Sequence, residues 1–419
     1  MSRSHRPLRV LFSCAGRRVE LIEAFRRAAT GLGVPLETWG SDRESSAPAL
    51  HFVDHSRLVP PVADPAYIDH MVRLTRDASI DLIIPLIDSD LLPLARAKPR
   101  FAEAGGTVVV SEARTVEICR DKLKAFHHLT AARIDTPRTW TYEEARRMAN
   151  PPLPVFVKPR AGSAGAGLHL IETRYDLEQI PRWVDDPIVQ EYVRGEEFTL
   201  DAYTGFDGRP ACVVPRRRIR VRGGEVSQAQ VVLDPEVIAI GRKVVGALQG
   251  CRGVVTIQCI RAFNGRISVI EINPRFGGGV PLSIAAGADM PRWLLAEHLG
   301  RKPTIPETAT RDSLVMSRYD QSVFYNGKAE RRAVAEEAVE GEEEWPKQRP
   351  APARPLAPAA SRPAASRPAS KSAAKSASRR PARPGANGRP KPAPKVTRRA
   401  GGRATSGSKP RRRSRSSRR

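Results

Sequence analysis

The chain has 419 residues, 40% of them hydrophobic, which is enough for two or three domains with buried cores. Residues 346–419 hold 23 Lys and Arg and no Asp or Glu, whereas residues 1–345 are nearly neutral, with 47 basic and 45 acidic side chains. Five scattered cysteines without Cys-x-x-Cys spacing argue against a disulfide scaffold or a zinc site, and no apolar stretch approaches the roughly 20 residues of a membrane helix.

The cysteines and the N-terminus also indicate a compartment. Scattered free cysteines fit a reducing environment. The apolar run at residues 10–12 is too short for a signal peptide. We therefore expect a cytoplasmic protein that does not contact membranes.

The N-terminal part of the chain alternates strand and helix signals. Short apolar runs predict strands at residues 8–14, 36–40, 80–87 and 107–111, and helical periodicity predicts helices at 19–30 and 67–78. This order predicts an α/β domain over 1–112, an open parallel sheet with crossover helices.

Charged residues follow several of these strands, at the edge where parallel sheets bind ligands. Arg17 and Arg18 follow the first strand, and either an anion contact or a solvated role fits them. Asp42, Asp88 and Asp90 also lie at predicted strand ends, and we interpret them as loop or capping carboxylates.

The pattern changes near residue 112 and predicts an α+β domain over 113–327. One continuous helix is predicted over 116–130 and another over 235–246. Strands are predicted at 155–160, 169–172, 189–192, 199–204, 210–214, 254–260 and 268–272.

Lys158 ends one of these strands, and the run Gly162-Ser163-Ala164-Gly165-Ala166-Gly167 follows it. Small residues let backbone N–H groups approach phosphate oxygens, and a nearby lysine adds a positive charge. No Gly-Lys-Ser/Thr follows, so this is not a Walker A loop. An anion-binding loop and an ordinary hairpin both remain open.

A second polar pattern ends the last strand of the set. Glu271, Asn273 and Arg275 are spaced two residues apart, so a strand directs all three to the same side. Two hard-oxygen ligands and a fixed cation suit Mg²⁺ and the phosphates that it carries. The alternative is a strand with a polar outer face.

Lys122, Lys158 with its glycine run, the segment 191–197, Gln258 and the Glu271–Asn273–Arg275 triplet form an ordered series. In this series the chain resembles the ATP-grasp superfamily, and most closely one half of the carbamoyl-phosphate synthase large subunit. The resemblance covers roughly residues 8–325. Lys122 and Lys158 stand where that synthase family usually has arginines, and the chain has no amidotransferase pattern, so carbamoyl-phosphate synthesis is not expected.

The resemblance implies a role for each motif. Arg275 would steady the transferred phosphoryl group, and Gln258, Glu271 and Asn273 would hold Mg²⁺, with Mn²⁺ as a substitute. Lys122, Lys158 and the loop Gly162, Ser163, Ala164, Gly165 and Gly167 would contact the ATP phosphates. Glu191, Tyr192 and Val193 would line the adenine hinge, and Glu197 would bind ribose.

The expected activity is that of a stand-alone carboxylate–amine ligase, which uses ATP and Mg²⁺ and forms an acyl phosphate. A small-molecule kinase is the alternative enzyme, and a nucleotide sensor acting through a polyanion-binding tail is the alternative of another class. The run Arg216 to Arg222 places Arg216, Arg218, Arg220 and Arg222 on one predicted strand face. Arg218 is the candidate for the substrate carboxylate, and a solvated charged hairpin is the alternative. A homodimer is left open.

The last segments contain few groups able to form a core. Residues 328–345 are an acidic linker, and residues 346–419 are rich in Lys, Arg, Pro and Ala, which predicts a disordered tail. Its unopposed positive charge predicts weak, sequence-independent binding to nucleic acid or another polyanion.

Overall fold

A parallel sheet forms the first part of the protein, and a computed structural model describes residues 6–162, 167–180 and 184–326. The strands lie in the order β3-β2-β1-β4-β5 and all pairs are parallel. Their bounds are β1 Leu8–Ser13, β2 Leu36–Asp42, β3 His55–Leu58, β4 Leu82–Pro85 and β5 Thr107–Val108. The predicted linker and tail lie outside the described residues, so their expected disorder stays a prediction.

The helices that connect these strands bury the apolar faces that their periodicity predicts. Helix α1 buries Leu21, Ile22 and Phe25 and ends at Gly33, whose φ of 66° suits glycine. The helical segments are α1 Val19–Leu32, a 3-10 turn at Pro48–His51, α2 Tyr67–Asp77, α3 Leu91–Arg96 and α4 Lys98–Glu103.

The predicted helix over 116–130 is two helices, α5 Ala113–Arg120 and α6 Lys122–Ala131, which corrects the prediction of one. Asp121 separates them because its backbone is extended, with φ −102° and ψ 106°. Its side chain accepts hydrogen bonds from the N–H groups of Leu123 and Lys124, both at 3.0 Å. The N-cap therefore fixes Lys122 as the first residue of a new helix.

A four-stranded antiparallel sheet follows, in the order β6-β9-β7-β8. It has a hydrophobic cluster of its own, which includes Val155, Val157 and Ile171. Its strands are β6 Thr139–Thr141, β7 Val155–Pro159, β8 His169–Ile171 and β9 Pro187–Glu191, with helices α7 Tyr142–Arg147 and α8 Arg174–Gln179.

The largest sheet has six antiparallel strands in the order β14-β13-β10-β11-β12-β15. The strands are β10 Gly195–Gly205, β11 Cys212–Arg222, β12 Glu225–Val231, β13 Gly253–Ala262, β14 Ile267–Asn273 and β15 Val315–Ser317. Helices α9 Pro235–Ala247, α10 Val280–Ala285 and α11 Met290–His298 accompany them. The parallel sheet followed by an α+β part with antiparallel sheets confirms the predicted fold class.

The parallel sheet and the large antiparallel sheet share one core. A single buried cluster contains Phe12 and Phe25 of the first part together with Val214 and Phe276 of the second. The Phe25 ring packs edge-on against Phe12, with centroids 5.1 Å apart, and against Phe276, with centroids 5.9 Å apart. This packing fixes the carboxyl edge of the parallel sheet over the end of β14. None of the helices in the described ranges is long and apolar enough to span a bilayer.

Candidate active site

A cavity of about 860 Å³ lies where the three sheets meet. Residues from the parallel sheet, from α6, from the four-stranded sheet and from the large sheet all line it. The predicted site residues on its wall are Lys122, Lys158, Gly162, Glu191, Val193, Glu197, Arg218, Gln258, Glu271, Asn273 and Arg275. The fold therefore brings eleven predicted residues together from segments far apart in sequence.

Three oxygen-bearing side chains stand on neighbouring strands of this wall. Gln258 of β13 is the register partner of Glu271 of β14, and Thr256 is the partner of Asn273. With its amide nitrogen turned toward Glu271, Gln258 donates to Glu271 Oε2 at 2.6 Å and accepts from Arg218 Nη1 at 3.0 Å. Glu271 and Asn273 face the cavity together, as the strand alternation predicts.

This donor set fits magnesium. Glu271 supplies a carboxylate and Asn273 an amide oxygen, which are hard ligands. The Gln258 oxygen accepts from Arg218, so the Gln258 amide would have to turn for that oxygen to join them. No cluster of three or more His, Cys, Asp or Glu side chains able to hold a metal occurs among the described residues. Since Mg²⁺ keeps waters and shares phosphate oxygens, one carboxylate with two amides beside a nucleotide is a suitable set.

Arg275 lies just after β14 and is held from the other domain. Its Nη2 donates to Asp88 Oδ2 at 2.9 Å, and its backbone carbonyl accepts from Thr256 Oγ1 at 2.9 Å. The ion pair is mostly buried, with side chains 12% and 16% exposed. Asp88 lies in a loop after β4, as predicted, and it also lines the cavity and orients the guanidinium.

Two lysines supply positive charge to the cavity. Lys158 extends from β7 and Lys122 from the first turn of α6, where its Nζ donates to the Gly162 carbonyl at 2.9 Å. Burial lowers the pKa of Lys158 to about 8 and also lowers the pKa of Lys122, while the Glu271 carboxylate opposes both shifts. An anion in the cavity would stabilise the charged form of both.

The glycine run is described only at its ends. Gly162 and Gly167 have φ of 126° and 69°, values that strain any residue with a Cβ. Gly167 is not among the cavity residues, and Ser163, Ala164 and Gly165 lie outside the described residues.

The predicted adenine hinge begins at Glu191, the last residue of β9. Glu191 and Val193 line the cavity, whereas Tyr192 does not and packs edge-on against Phe156, with centroids 4.9 Å apart. The Glu191 carboxylate accepts from Arg266 Nη1 at 2.9 Å. Burial would raise the pKa of Glu191, but Arg266 and the Arg138 N–H hold it below its ordinary value. The carboxylate is thus fixed by its neighbours.

The arginine run of β11 does not form a single face, which corrects the sequence prediction. The register with β12 shifts between Arg218 and Arg220, a bulge that interrupts the alternation. Arg216 and Arg218 line the cavity, whereas Arg220 is exposed and Val221 lines the cavity instead. Arg218 pairs with Glu197, so the predicted substrate and ribose residues contact each other.

Several cavity residues were not assigned there by the sequence: Arg18, Asp88, Ser89, Arg120, Arg216 and Glu225. Arg18 and Asp88 follow the strands β1 and β4 of the parallel sheet, so the strand-end rule already indicated them. Burial lowers the pKa of Arg18 to about 10, with Arg275 nearby acting in the same direction. Arg216 carried no such signal, because its partner Asp201 is defined only by the fold.

Comparison with known families agrees with this architecture. The profile of the ATP-grasp domain matches residues 119–279, and that of the PylC-like N-terminal domain matches residues 10–109. The chain therefore contains an ATP-grasp domain, which is preceded by a PylC-like N-terminal domain.

Curated relatives are distant. The chain is 25% identical over 178 residues to a formate-dependent phosphoribosylglycinamide formyltransferase from Sulfolobus acidocaldarius, covering 41% of this chain and 42% of the relative. It is 23% identical over 210 residues to a 3-methyl-D-ornithine–L-lysine ligase from Methanosarcina mazei, covering 49% and 51%. The chain thus spans about half the length of these relatives.

Solved structures share the fold over a larger region. A biotin carboxylase from Campylobacter jejuni has a TM-score of 0.59 at 17% identity, covering 74% of this chain and 75% of that one. An L-amino acid ligase from Bacillus licheniformis has a TM-score of 0.56 at 20% identity, covering 71% and 75%. At identities this low, the similarity shows a shared fold and nothing more.

Proposed function

We propose that the protein is an ATP- and Mg²⁺-dependent ligase that joins a carboxylate to an amine and releases ADP and phosphate. The observation that carries the proposal is the convergence of Lys122, Lys158, Glu271, Asn273 and Arg275 on one cavity. Cations and oxygen ligands that line the same cavity suit a nucleotide polyphosphate.

In the first step a substrate carboxylate oxygen attacks the γ-phosphorus of ATP. A new P–O bond forms, the bond to ADP breaks, and the product is an acyl phosphate. Lys122 and Lys158 neutralise phosphate charge, and Arg275, oriented by Asp88, contacts the transferred group. Mg²⁺, held by Gln258, Glu271 and Asn273, would supply charge neutralisation at the phosphates.

In the second step the amine nitrogen attacks the acyl carbon, phosphate leaves, and the nitrogen releases a proton to water or phosphate. The chain need only position the reactants and exclude water, so no nucleophilic side chain is required. Two compared proteins have names that describe ligases of amino acids, which supports this class for the present chain.

The proposal is tested by measuring ADP and phosphate release with a panel of carboxylates, each with and without a panel of amines. A ligase releases ADP and phosphate only when both acid and amine are present, or releases them much faster with both than with the acid alone. ADP release with an acid alone and a stable phosphorylated acid would indicate the kinase alternative. AMP and pyrophosphate as products would overturn the acyl-phosphate mechanism.

Glu271→Ala should abolish turnover by removing the single carboxylate of the metal set, lowering kcat by about 100-fold or more. Glu307→Ala is the matched control, since that side chain is 90% exposed. A Glu271→Ala protein that folds and retains wild-type turnover would refute the metal assignment.

We also infer that the segment after residue 345 binds polyanions weakly, because its 23 basic residues face no acidic ones. Each neutralised phosphate gives a salt slope near −0.9 on duplex DNA. Truncation after residue 345 should abolish retention on DNA-cellulose at low salt without changing ligase turnover. Unchanged retention would contradict the inference.

We further propose a cytoplasmic location, consistent with five free cysteines.

A further inference from the structure

Two arginines flank a pair of glycines on the cavity wall that faces the parallel sheet. Arg216 lies on β11 and Arg18 precedes α1, and both line the cavity with Gly278 and Gly279. None of these four residues is required for nucleotide binding in the proposed function. They are contiguous with Arg275, whose charge affects the pKa of Arg18.

Arg216 is a buried cation with one unused donor. Its side chain is 1% exposed; its Nε donates to Asp201 Oδ2 at 2.7 Å and its Nη2 to Asp201 Oδ1 at 3.1 Å. Its Nη1 has no hydrogen-bond partner among the described residues. A buried donor without a partner is unfavourable, and cavity walls are where a ligand can provide the acceptor.

Asp201 holds this guanidinium in a fixed orientation. The Asp201 carboxylate is fully buried and also accepts from Ser283 Oγ at 2.6 Å. The bidentate pair occupies one edge of the Arg216 fork and leaves Nη1 directed away from Asp201. The direction of Nη1 is therefore set before any ligand arrives.

The two glycines allow both guanidinium groups to pack directly against the backbone. A Cβ at Gly279 would overlap Arg216 Nη1, and a Cβ at Gly278 would overlap Arg18 Nη1. Gly279 has φ −94°, and Gly278 is not among the glycines with positive φ. Since neither backbone conformation demands glycine, the absence of side chains serves the close approach of the arginines.

Arg18 has weak compensation for its charge. Its nearest carboxylate is Glu225, at 3.7 Å from Nη2. The same carboxylate lies 3.4 Å from Arg17 and 3.4 Å from Arg318. Glu225 is therefore shared among three arginines, of which Arg318 also pairs with Glu20 at 3.3 Å, and the Arg18 side chain is only 17% exposed. The wall carries an excess of positive charge where it meets the cavity.

We infer that Arg18 and Arg216, above Gly278 and Gly279, bind a carboxylate group of the acid substrate. This assignment rests on the proposed function, which makes the acid a substrate. It moves the carboxylate site from Arg218, which pairs with Glu197, to Arg18 and Arg216. Asp88 and Glu225 on the same wall disfavour a dianion, so a carboxylate suits the site better than phosphate.

Binding is measured by calorimetry on the full chain saturated with Mg²⁺ and a non-hydrolysable ATP analogue. The probes are straight-chain mono- and dicarboxylates of two to six carbons, the twenty amino acids and inorganic phosphate. We expect at least one carboxylate to bind, and Gly279→Ala and Arg18→Met each to weaken it about 10- to 100-fold, the loss of a charge-assisted hydrogen bond.

Matched controls separate the site from general effects of substitution. Gly246→Ala places the same methyl group on an exposed helical glycine with open space around it, and Arg73→Met removes an exposed arginine of α2. Both controls should bind the acid as the wild type does. All variants should bind the ATP analogue with unchanged affinity, which shows that the cavity remains folded.

The assignment is overturned if no carboxylate in the panel binds, or if phosphate binds more tightly than every carboxylate. It is also overturned if Gly279→Ala and Arg18→Met both bind the carboxylate with wild-type affinity. Its failure differs from that of the proposed function. Acid-dependent ADP release with unchanged KM for the acid in both variants would keep the ligase and reject this site. Arginine-dependent carboxylate binding without ADP release would keep the site and reject the ligase.

Discussion

Asp90 is a fully buried carboxyl group between β4 and α3. Its Oδ2 accepts from Ser13 Oγ at 2.6 Å, while Oδ1 has no hydrogen-bond partner within the described part of the chain. Burial raises its pKa to about 7, although Ser13 and Cys14 oppose the shift. Asp88 raises the pKa further and Arg120 lowers it; Tyr67 is the remaining titratable neighbour.

The sign of the pH dependence follows from this raised pKa. Between pH 4 and 7 the folded protein holds a proton on Asp90 that the unfolded chain, with a pKa near 3.8, has released. The free energy of unfolding should therefore fall as pH rises through this range, by at most about 1.4 kcal/mol per unit from this group. Asp90→Asn removes this contribution.

Urea unfolding at pH 5, 6, 7 and 8 measures the effect. The stability of Asp90→Asn relative to the wild type should increase up to about pH 7 and stay level above it. Asp77→Asn, which alters an exposed carboxylate of α2, should show no such trend. A difference that does not vary with pH would show that Asp90 is ionised throughout.

Individual site residues differ in how far the sequence could predict them. Glu271 and Asn273 depend on strand alternation alone, and they face the cavity together as predicted. The sequence places Arg216 on the same face as three other arginines and favours Arg218 among them, because the Arg216 partner Asp201 lies on β10 and becomes its neighbour only through strand register. The bulge after Arg218 has no signature in the residue types. Local periodicity was sufficient to predict that Glu271 and Asn273 face the cavity, but not to predict the position of Arg216.

At the scale of elements, the junction between α5 and α6 positions a predicted phosphate ligand. Asp121 caps α6, and Arg160, just after β7, donates to both Asp121 oxygens at 2.7–3.0 Å. The junction thus joins the start of α6 to the strand that carries Lys158. The sequence Arg-Asp-Lys contains no glycine or proline, and for that reason apolar periodicity predicted an uninterrupted helix.

Asp121→Ala should lower the free energy of unfolding by about 1 kcal/mol through loss of the cap. It should also weaken ATP-analogue binding several-fold, because Lys122 loses its fixed position. Thr173→Ala is the matched control, since Thr173 caps α8 through the Asp176 N–H and lies outside the cavity. Calorimetry should show weakened nucleotide binding in Asp121→Ala alone. If both variants weakened nucleotide binding equally, the junction between α5 and α6 would have no specific role in binding the nucleotide.

At the scale of the whole molecule, the distribution of buried clusters predicts two levels of cooperativity. The parallel sheet and the large antiparallel sheet each have a cluster of their own and also share one, whereas the cluster of the four-stranded sheet is shared with neither. Sequence periodicity located most strands of both parts but gave no information on which cores would merge. That depends on contacts such as Phe25 with Phe276, which are far apart in the chain. The boundary at residues 112 and 113 stays a prediction.

Phe25→Ala should therefore destabilise both shared sheets in one transition, by about 3–5 kcal/mol. Ile171 is a buried residue of the four-stranded sheet, with 3% exposure. Ile171→Ala should therefore act mainly on that sheet. Native-state hydrogen exchange distinguishes the two, since it reports opening free energies by segment. In Phe25→Ala, amides of β1 and β13 should lose protection together, while in Ile171→Ala the loss should be confined to β7, β8 and β9. Loss of protection in β1 alone on Phe25→Ala would show that the N-terminal domain unfolds independently, and that the Asp88–Arg275 pair joins two separately stable bodies.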